Sequence, residues 1–403
     1  MTRLGRRSFL AATAATTVSA GLAARPARAE GDTIKLGNIV TTSGPLKTVG
    51  EPAMIVAQMA VAEINAAGGV NGRKLELIRY DTASDPSQAA VAARKLVEDD
   101  GVLALVGPFS SGETQVAMNV AERAHVVMMP NAASVPGLSN GKKYLWRLAQ
   151  DEAIQFRRLL TSMKAHDILP KSAAILYISD EAVDADAGKR IYPALLTEFG
   201  VSVTPSIAIQ YKTFDMAPQV AKVLEGKPDA VALAALTPSA AKVIQELRKQ
   251  GFEGRIIGSQ LFADPTNVRL FGPAGNGVLY MTGFWMHESP QSEKFTADFL
   301  TATKAAGMDK LGPFHTDAQT YDIVYLLKQA MEKAQVTGDP AKVAAEREAI
   351  RDAISGIRFT GILGRDICFN GQDATLPGYV IELKDQQWTL FDTAPAAACK
   401  TAA

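Results

Sequence analysis

The chain has 403 residues, too many for one compact core and suited to two or three domains. Lys plus Arg and Asp plus Glu each number 42, so the basic excess of a sequence-independent nucleic-acid binder is missing and no nucleic-acid partner is expected. Apolar content of 47% and charged content of 21% are ordinary for a soluble globular protein.

Residues 1–29 read as an export signal. Arg3, Arg6 and Arg7 precede an apolar, small-residue stretch from Phe9 to about Ala24, and Ala27-Arg28-Ala29 fits an A-x-A cleavage site. Arg6-Arg7-Ser8-Phe9-Leu10 resembles the core of a twin-arginine signal, with Gly5 and Ala11 departing from its usual flanks. No other run reaches the roughly 18 apolar residues of a membrane-spanning helix. The mature protein, from near Glu30, is therefore expected to be soluble and periplasmic.

From Thr33 strand and helix signals alternate. Strands are expected at 34–40, 74–80, 103–106 and 126–129, with helices from Pro52 to Gly68 and from Asp85 to about Asp99. This β-α-β-α order argues for one doubly wound lobe. The pattern restarts near Trp146–Asp151, with strands at 173–178, 201–209, 230–235 and 255–258. Helices are expected near 188–199, 217–224 and 238–250, the last capped by Thr237, and a further strand at 277–282. Three helical segments follow, about 291–306, 317–333 and 340–355. Short strands are then expected over 359–392, and a loose tail over 395–403.

The candidate ligand site lies between Gly107 and Pro136. The apolar strand at 103–106 ends at Gly107-Pro108, and Phe109-Ser110-Ser111 leads into a helix opening near Ser111 or Gly112. The next strand ends in Pro130-Asn131-Ala132-Ala133-Ser134. In open α/β sheets ligands sit at the carboxyl ends of neighbouring strands, and free N–H groups at a helix start suit a carboxylate. Ser111 and Ser134 are the leading contacts, with Phe109 and Ser110 beside them.

No metal, cofactor or catalytic motif is apparent. His125, His166, His287 and His315 are scattered without ligand spacing, and no nucleophile elbow, P-loop or dinucleotide fingerprint occurs. An enzyme is not expected. Cys368 and Cys399 match no zinc or redox motif, and one disulfide or two free thiols are both open.

Taken together, Thr42-Ser43-Gly44-Pro45, Glu63-Ile64-Asn65-Ala66-Ala67-Gly68-Gly69-Val70-Asn71-Gly72, Tyr80-Asp81 and Asp85-Pro86 make the chain resemble a known family, with Gly107–Thr114 and Pro130–Pro136 completing the pattern. That family is the periplasmic solute-binding proteins of branched-chain amino acid ABC importers, the leucine/isoleucine/valine-binding type. The resemblance implies a type I periplasmic binding protein fold: two α/β lobes joined by three crossovers, closing on a solute. Lobe one would then comprise 33–149 and 283–357, and lobe two 150–282 and 358–394. It also implies membrane permease subunits as partners of a monomer, with an exported sensor of the same fold as the alternative.

In that family the ligand carboxylate meets a Ser hydroxyl and backbone N–H groups aligning with Ser111 and Ser134, and the α-ammonium meets a carbonyl aligning with Ala132. The family's acidic partner for the ammonium aligns with neutral Gln260, and its ring-bearing positions align with Val49 and Leu236. Either another acid, such as Asp184 in the segment 180–186 or Asp264, stands in, or the ligand carries no ammonium. The segment 180–186 reads most simply as a solvated rim. The expected ligand is a small carboxylate, aromatic or aliphatic, rather than leucine.

Overall fold

The structure, a computed structural model, describes residues 33–399, so the expected export signal and the last four residues lie outside it. The first lobe carries β1 (Thr33–Val40), α1 (Lys47–Ala66), β2 (Lys74–Asp81), α2 (Pro86–Arg94), β3 (Ala104–Val106), α3 (Ser111–Arg123) and β4 (Val127–Met129). Its sheet is parallel, in the order β2-β1-β3-β4. Every residue of β3 and β4 is buried, as an unbroken apolar run in a parallel sheet requires.

α1 begins at Lys47, five residues ahead of the Pro52 start expected from sequence. A proline inside a helix leaves the carbonyl four residues back without its N–H partner. Here that carbonyl, of Thr48, accepts from Lys310 Nζ at 3.3 Å. Gly50 lets the same turn press on the end of β1, since a Cβ there would lie 2.1 Å from the Thr41 carbonyl oxygen.

The second lobe opens with α4 (Glu152–Ala165) and β5 (Ser172–Ile178). α5 (Ala182–Asp186), α6 (Tyr192–Glu198), β6 (Ser202–Ile209), α7 (Ala217–Leu224), β7 (Ala230–Ala234), α8 (Ser239–Lys249), β8 (Arg255–Gly258), α9 (Val268–Phe271) and β9 (Val278–Thr282) follow. The chain then returns to the first lobe as α10 (Pro290–Ala305), α11 (His315–Lys333) and α12 (Val343–Ser355). Two hairpins come next, β10 (Phe359–Gly361) with β11 (Gly364–Ile367) and β12 (Phe369–Asn370) with β13 (Asp373–Ala374). Finally β14 (Gly378–Lys384) and β15 (Gln387–Ala394) join the second sheet. Its order is β15-β14-β9-β8-β7-β5-β6, with β14 and β15 antiparallel to their neighbours.

Residues of β5 and β7 alternate strictly between two apolar clusters, Leu176 and Leu233 on one side and Ile175 and Ala232 on the other. That period of two with both faces apolar is what a sheet covered by helices demands. One of these clusters also contains Ala53, Phe109 and Phe314 of the first lobe, so the lobes are closed on each other.

Four sequence expectations need correction. The return to lobe two falls at β14, not at 358, because Phe359, Leu363, Ile367 and Leu376 bury in the first lobe's core. Asp322 fixes that placement by accepting from the N–H groups of Ile362 and Leu363 at 3.0 and 2.9 Å. Residues 395–399 are not loose, since Cys399 forms a disulfide with Cys368 and Asn370 Nδ2 donates to the Ala398 carbonyl at 3.3 Å. α8 starts at Ser239 with Pro238 at its cap, so Thr237 is not the capping residue. Nor is the segment 180–186 a solvated rim: it contains the short helix α5, with Val183 and Asp184 buried.

Candidate functional site

On the first lobe the site is built at the start of α3. Ser110 caps this 13-residue helix: its Oγ accepts from Glu113 N at 3.2 Å and donates to Glu113 Oε2 at 2.7 Å. Glu113 also receives the hydroxyls of Thr41 and Thr82. Ser110 is thereby committed to the fold, and the next residue, Ser111, presents its side chain at the helix's positive end. Ser111 is 1% exposed and Ser134 2%. The two loops touch, with Ser111 Oγ accepting from Val135 N at 3.3 Å.

The Ser134 loop is held from behind by Arg147, whose side chain is fully buried. Its Nη1 donates to the carbonyls of Ala133 and Val135 at 3.1 and 2.8 Å. Nε and Nη2 reach the two carboxylate oxygens of Asp373 at 2.7 Å each, a bidentate pair that fixes the guanidinium plane. Ala132 is half-buried at the edge of the apolar cluster that spans the lobes, and Phe109 is inside it.

The facing wall belongs to the second lobe and is acidic. Glu152, the first residue of α4, is 1% exposed, and its N–H donates to the Ser134 carbonyl at 3.0 Å. Its Oε1 accepts from Tyr192 Oη at 2.9 Å and its Oε2 from Gln260 Nε2 at 2.8 Å. Tyr192 is held by a stacked Phe156, ring centroids 3.8 Å apart. Gln260 therefore stands beside a carboxylate instead of being one. Asp184 is 0% exposed; its Oδ2 accepts from Leu236 N at 3.2 Å and its Oδ1 has no partner.

Burial pushes the Glu152 carboxyl up to about 7, against the two hydrogen bonds that favour its charged form. Asp184 is raised well above the ordinary carboxylate range, first by burial and then by the nearby charges of Glu181 and Glu152. Glu181, whose carboxylate caps α5 through Asp184 N at 2.8 Å, is raised for the same first reason. Among the described residues no Lys, Arg or His forms an ion pair with Glu152 or Asp184.

Between the lobes opens a cavity of about 420 Å³, whose lining includes Leu236 but none of Ser111, Ser134, Glu152, Asp184 or Gln260. Val49 and Phe109 line it from the first lobe, and Leu236, Leu261 and Tyr211 from the second. At its rim Lys310 Nζ, on the first lobe, meets Asp264 Oδ2, on the second, at 2.8 Å, with side chains 12% and 10% exposed. Asp264 is thus engaged across the cleft and not free to replace the acid missing at 260. Among the described residues no group of three His, Cys, Asp or Glu side chains is placed to hold a metal ion.

The structure places Val49, Phe109 and Leu236 on the interlobe cavity, while Ser134 and Gln260 are joined through Glu152, Asp184 lies behind Leu236, and Ser110 is spent as a helix cap. Sequence reading missed Glu152, Tyr192 and Arg147. Asp151-Glu152 at a helix start looks like ordinary capping, and indeed Asp151 accepts from Ala153 N at 2.9 Å. Nothing in the spacing separates the functional neighbour from the cap.

A sequence profile described as Periplasmic binding protein matches residues 33–387. The chain belongs to that family, whose members are solute-binding proteins of transporters rather than enzymes and act outside the cytoplasm. It is 28% identical, over 79% of its length and 82% of the relative's, to a leucine-, isoleucine-, valine-, threonine- and alanine-binding protein of Pseudomonas aeruginosa. Two solved structures share the fold. One is the branched-chain amino acid transporter substrate-binding protein LivJ of Streptococcus pneumoniae with isoleucine, 21% identical, TM-score 0.78, covering 91% of this chain and 99% of that one. The other is an ABC transporter solute-binding protein of R. palustris with benzoate, 20% identical, TM-score 0.78, covering 91% and 98%.

Proposed function

We propose that this protein is the periplasmic substrate-binding subunit of an ABC importer, working as a monomer after cleavage near Ala29. Its solute is a small molecule bearing a carboxylate, of the branched-chain amino acid, aromatic or aliphatic acid classes. The observation that carries this reading is the pair of buried hydroxyls, Ser111 and Ser134, at the start of α3 and roofed by the second lobe. A carboxylate there receives two O–H donors and the partial positive end of a 13-residue helix. The names of the relatives, binders of leucine-type amino acids and of benzoate, support the class.

In the open form the solute meets the first lobe, and Ala132 offers its backbone beside the anion site. Closure then brings Leu236, Gln260 and Asp184 over it and puts the apolar part of the solute between Val49, Phe109 and Leu236. The closed lobes present both their surfaces to the permease subunits, which complete import. The test is thermal unfolding of residues 30–403 against a panel of amino acids and aromatic and aliphatic carboxylates. A true ligand at a thousandfold its Kd raises stability by about 4 kcal/mol, several degrees in the scan. Absence of any shift across the carboxylates overturns the proposal.

A further inference from the structure

Three stretches carry the backbone between the lobes, at 149–151 before α4, at 283–289 after β9 and at 375–377 before β14. A fourth connection runs through a side-chain bond. Cys399 lies five residues beyond Ala394, the end of β15 in the second sheet. Its disulfide partner Cys368 sits between Ile367 and Phe369, which pack in the first lobe's core. We propose that the segment 395–399 and its disulfide form a strap across the hinge that limits how far the lobes open, so that the empty protein is held toward its closed form. This rests on the closing lobes of the proposed function and on no particular solute.

The strap is short and tied at both ends. Five residues reach about 17 Å at full extension, and the Cα atoms of Cys368 and Cys399 are 6.0 Å apart. A motion that carries the first lobe's hairpins away from β15 must be taken up within that length. Asn370 Nδ2, on the first lobe, donates to the Ala398 carbonyl at 3.3 Å. Arg158, on α4 of the second lobe, donates through Nη2 to the Pro395 carbonyl at 3.4 Å.

Arg158 is also the junction between the strap and two crossovers. Its Nη1 donates to the Leu376 carbonyl at 3.1 Å and to Gln150 Oε1 at 3.3 Å. Gln150 Nε2 in turn donates to the Pro377 carbonyl at 2.6 Å. Beneath the strap lies a cavity of about 220 Å³, lined by Gln150, Asp151, Arg158 and Leu376 as well as by Ala397 of the strap itself. The strap therefore spans a gap at the hinge, and its hold depends on the disulfide and these few hydrogen bonds. Hinge motion concentrates its backbone changes in a few connecting residues. Contacts that tie those residues in the closed arrangement shift the equilibrium toward that arrangement. An oxidising periplasm keeps such a disulfide formed where the protein works.

A cross-link that served stability alone would act by restricting the unfolded chain and would leave lobe motion untouched. The experiment separates the two roles without needing a ligand. Small-angle scattering and hydrogen–deuterium exchange are measured on the empty mature protein, residues 30–403, as oxidised wild type, as wild type reduced with dithiothreitol, and as Cys399→Ser. Dithiothreitol supplies the two electrons and two protons that turn the disulfide into two thiols, and leaves as its own cyclic disulfide. Loss of the cross-link should raise the radius of gyration and speed exchange at 149–151 and 283–289 by roughly three- to tenfold. With leucine and benzoate as probes, any measured Kd should weaken as the closed fraction falls. Arg158→Met, with the disulfide intact, should move scattering and exchange the same way by less, and it carries the test if loss of the cross-link unfolds the protein. A lowered unfolding midpoint with unchanged scattering and crossover exchange would overturn the strap and leave a plain staple. A smaller radius after reduction would overturn it as well. Failure of leucine, benzoate and every other carboxylate to bind would count against the solute reading alone.

Discussion

On the first lobe the cleft wall is neutral, made of two hydroxyls and a helix start, and every support behind it is satisfied: Ser110 by Glu113, the Ser134 loop by Arg147. On the second lobe the wall is acidic and unfinished, with Glu152 and Asp184 buried and without a basic partner among the described residues. The difference is instructive because both walls are equally buried. A finished wall can receive the solute in the open form without rearranging. An unfinished one is held together at a cost, since burial without a counter-charge pushes both carboxyls toward their neutral form.

The largest expected effect comes from attacking the finished wall at its support. Arg147→Met removes four guanidinium hydrogen bonds, two to Asp373 and one each to the Ala133 and Val135 carbonyls. Asp373 is about a third exposed and can take up water, so a loss of about 3 kcal/mol is expected in denaturant unfolding. A loss below about 0.5 kcal/mol would mean the loop does not depend on Arg147.

Next in size is the wall's own chemistry. Ser111→Ala and Ser134→Ala should each weaken solute binding by roughly 10- to 100-fold, the scale of a hydrogen bond to a charged group, with the unfolding midpoint nearly unchanged. Unaltered affinity in both variants would remove the hydroxyls from the site.

The smallest effect probes closure. Lys310→Met cuts the ion pair to Asp264 that crosses the rim and leaves the Thr48 carbonyl without the donor that compensates for Pro52. Several-fold weaker binding and a larger radius of gyration in ligand-free solution scattering are expected. Unchanged scattering and affinity would show that the pair is not a latch.

Much of the first wall could be read from the order of residues, since its parts are local. A buried parallel strand, a Gly-Pro turn and a Ser-capped helix lie within about a dozen consecutive positions, and such signals survive in sequence. Ser111 stood ahead of its neighbour Ser110 as a candidate, and the capping box takes Ser110 out by spending its hydroxyl on Glu113. The second wall draws on residues 108 positions apart, Glu152 and Gln260, and on the 184–236 contact. No local pattern encodes such pairings. Likewise the stretch 359–376 has apolar residues that suit either lobe, and only the packing of Phe359, Leu363 and Ile367 assigns them to the first.

By itself, then, the sequence determined the alternation of strands and helices, the two lobes and the position of Ser111 and Ser134 just after two neighbouring strands, because periodicity, caps and turns are written in neighbouring residues. Tertiary structure alone decided that Asp184 is buried rather than solvated, that Gln260 serves Glu152, and that the lobe boundary lies at β14. Burial and counter-charge are properties of what surrounds a side chain, and the chain's order does not carry them.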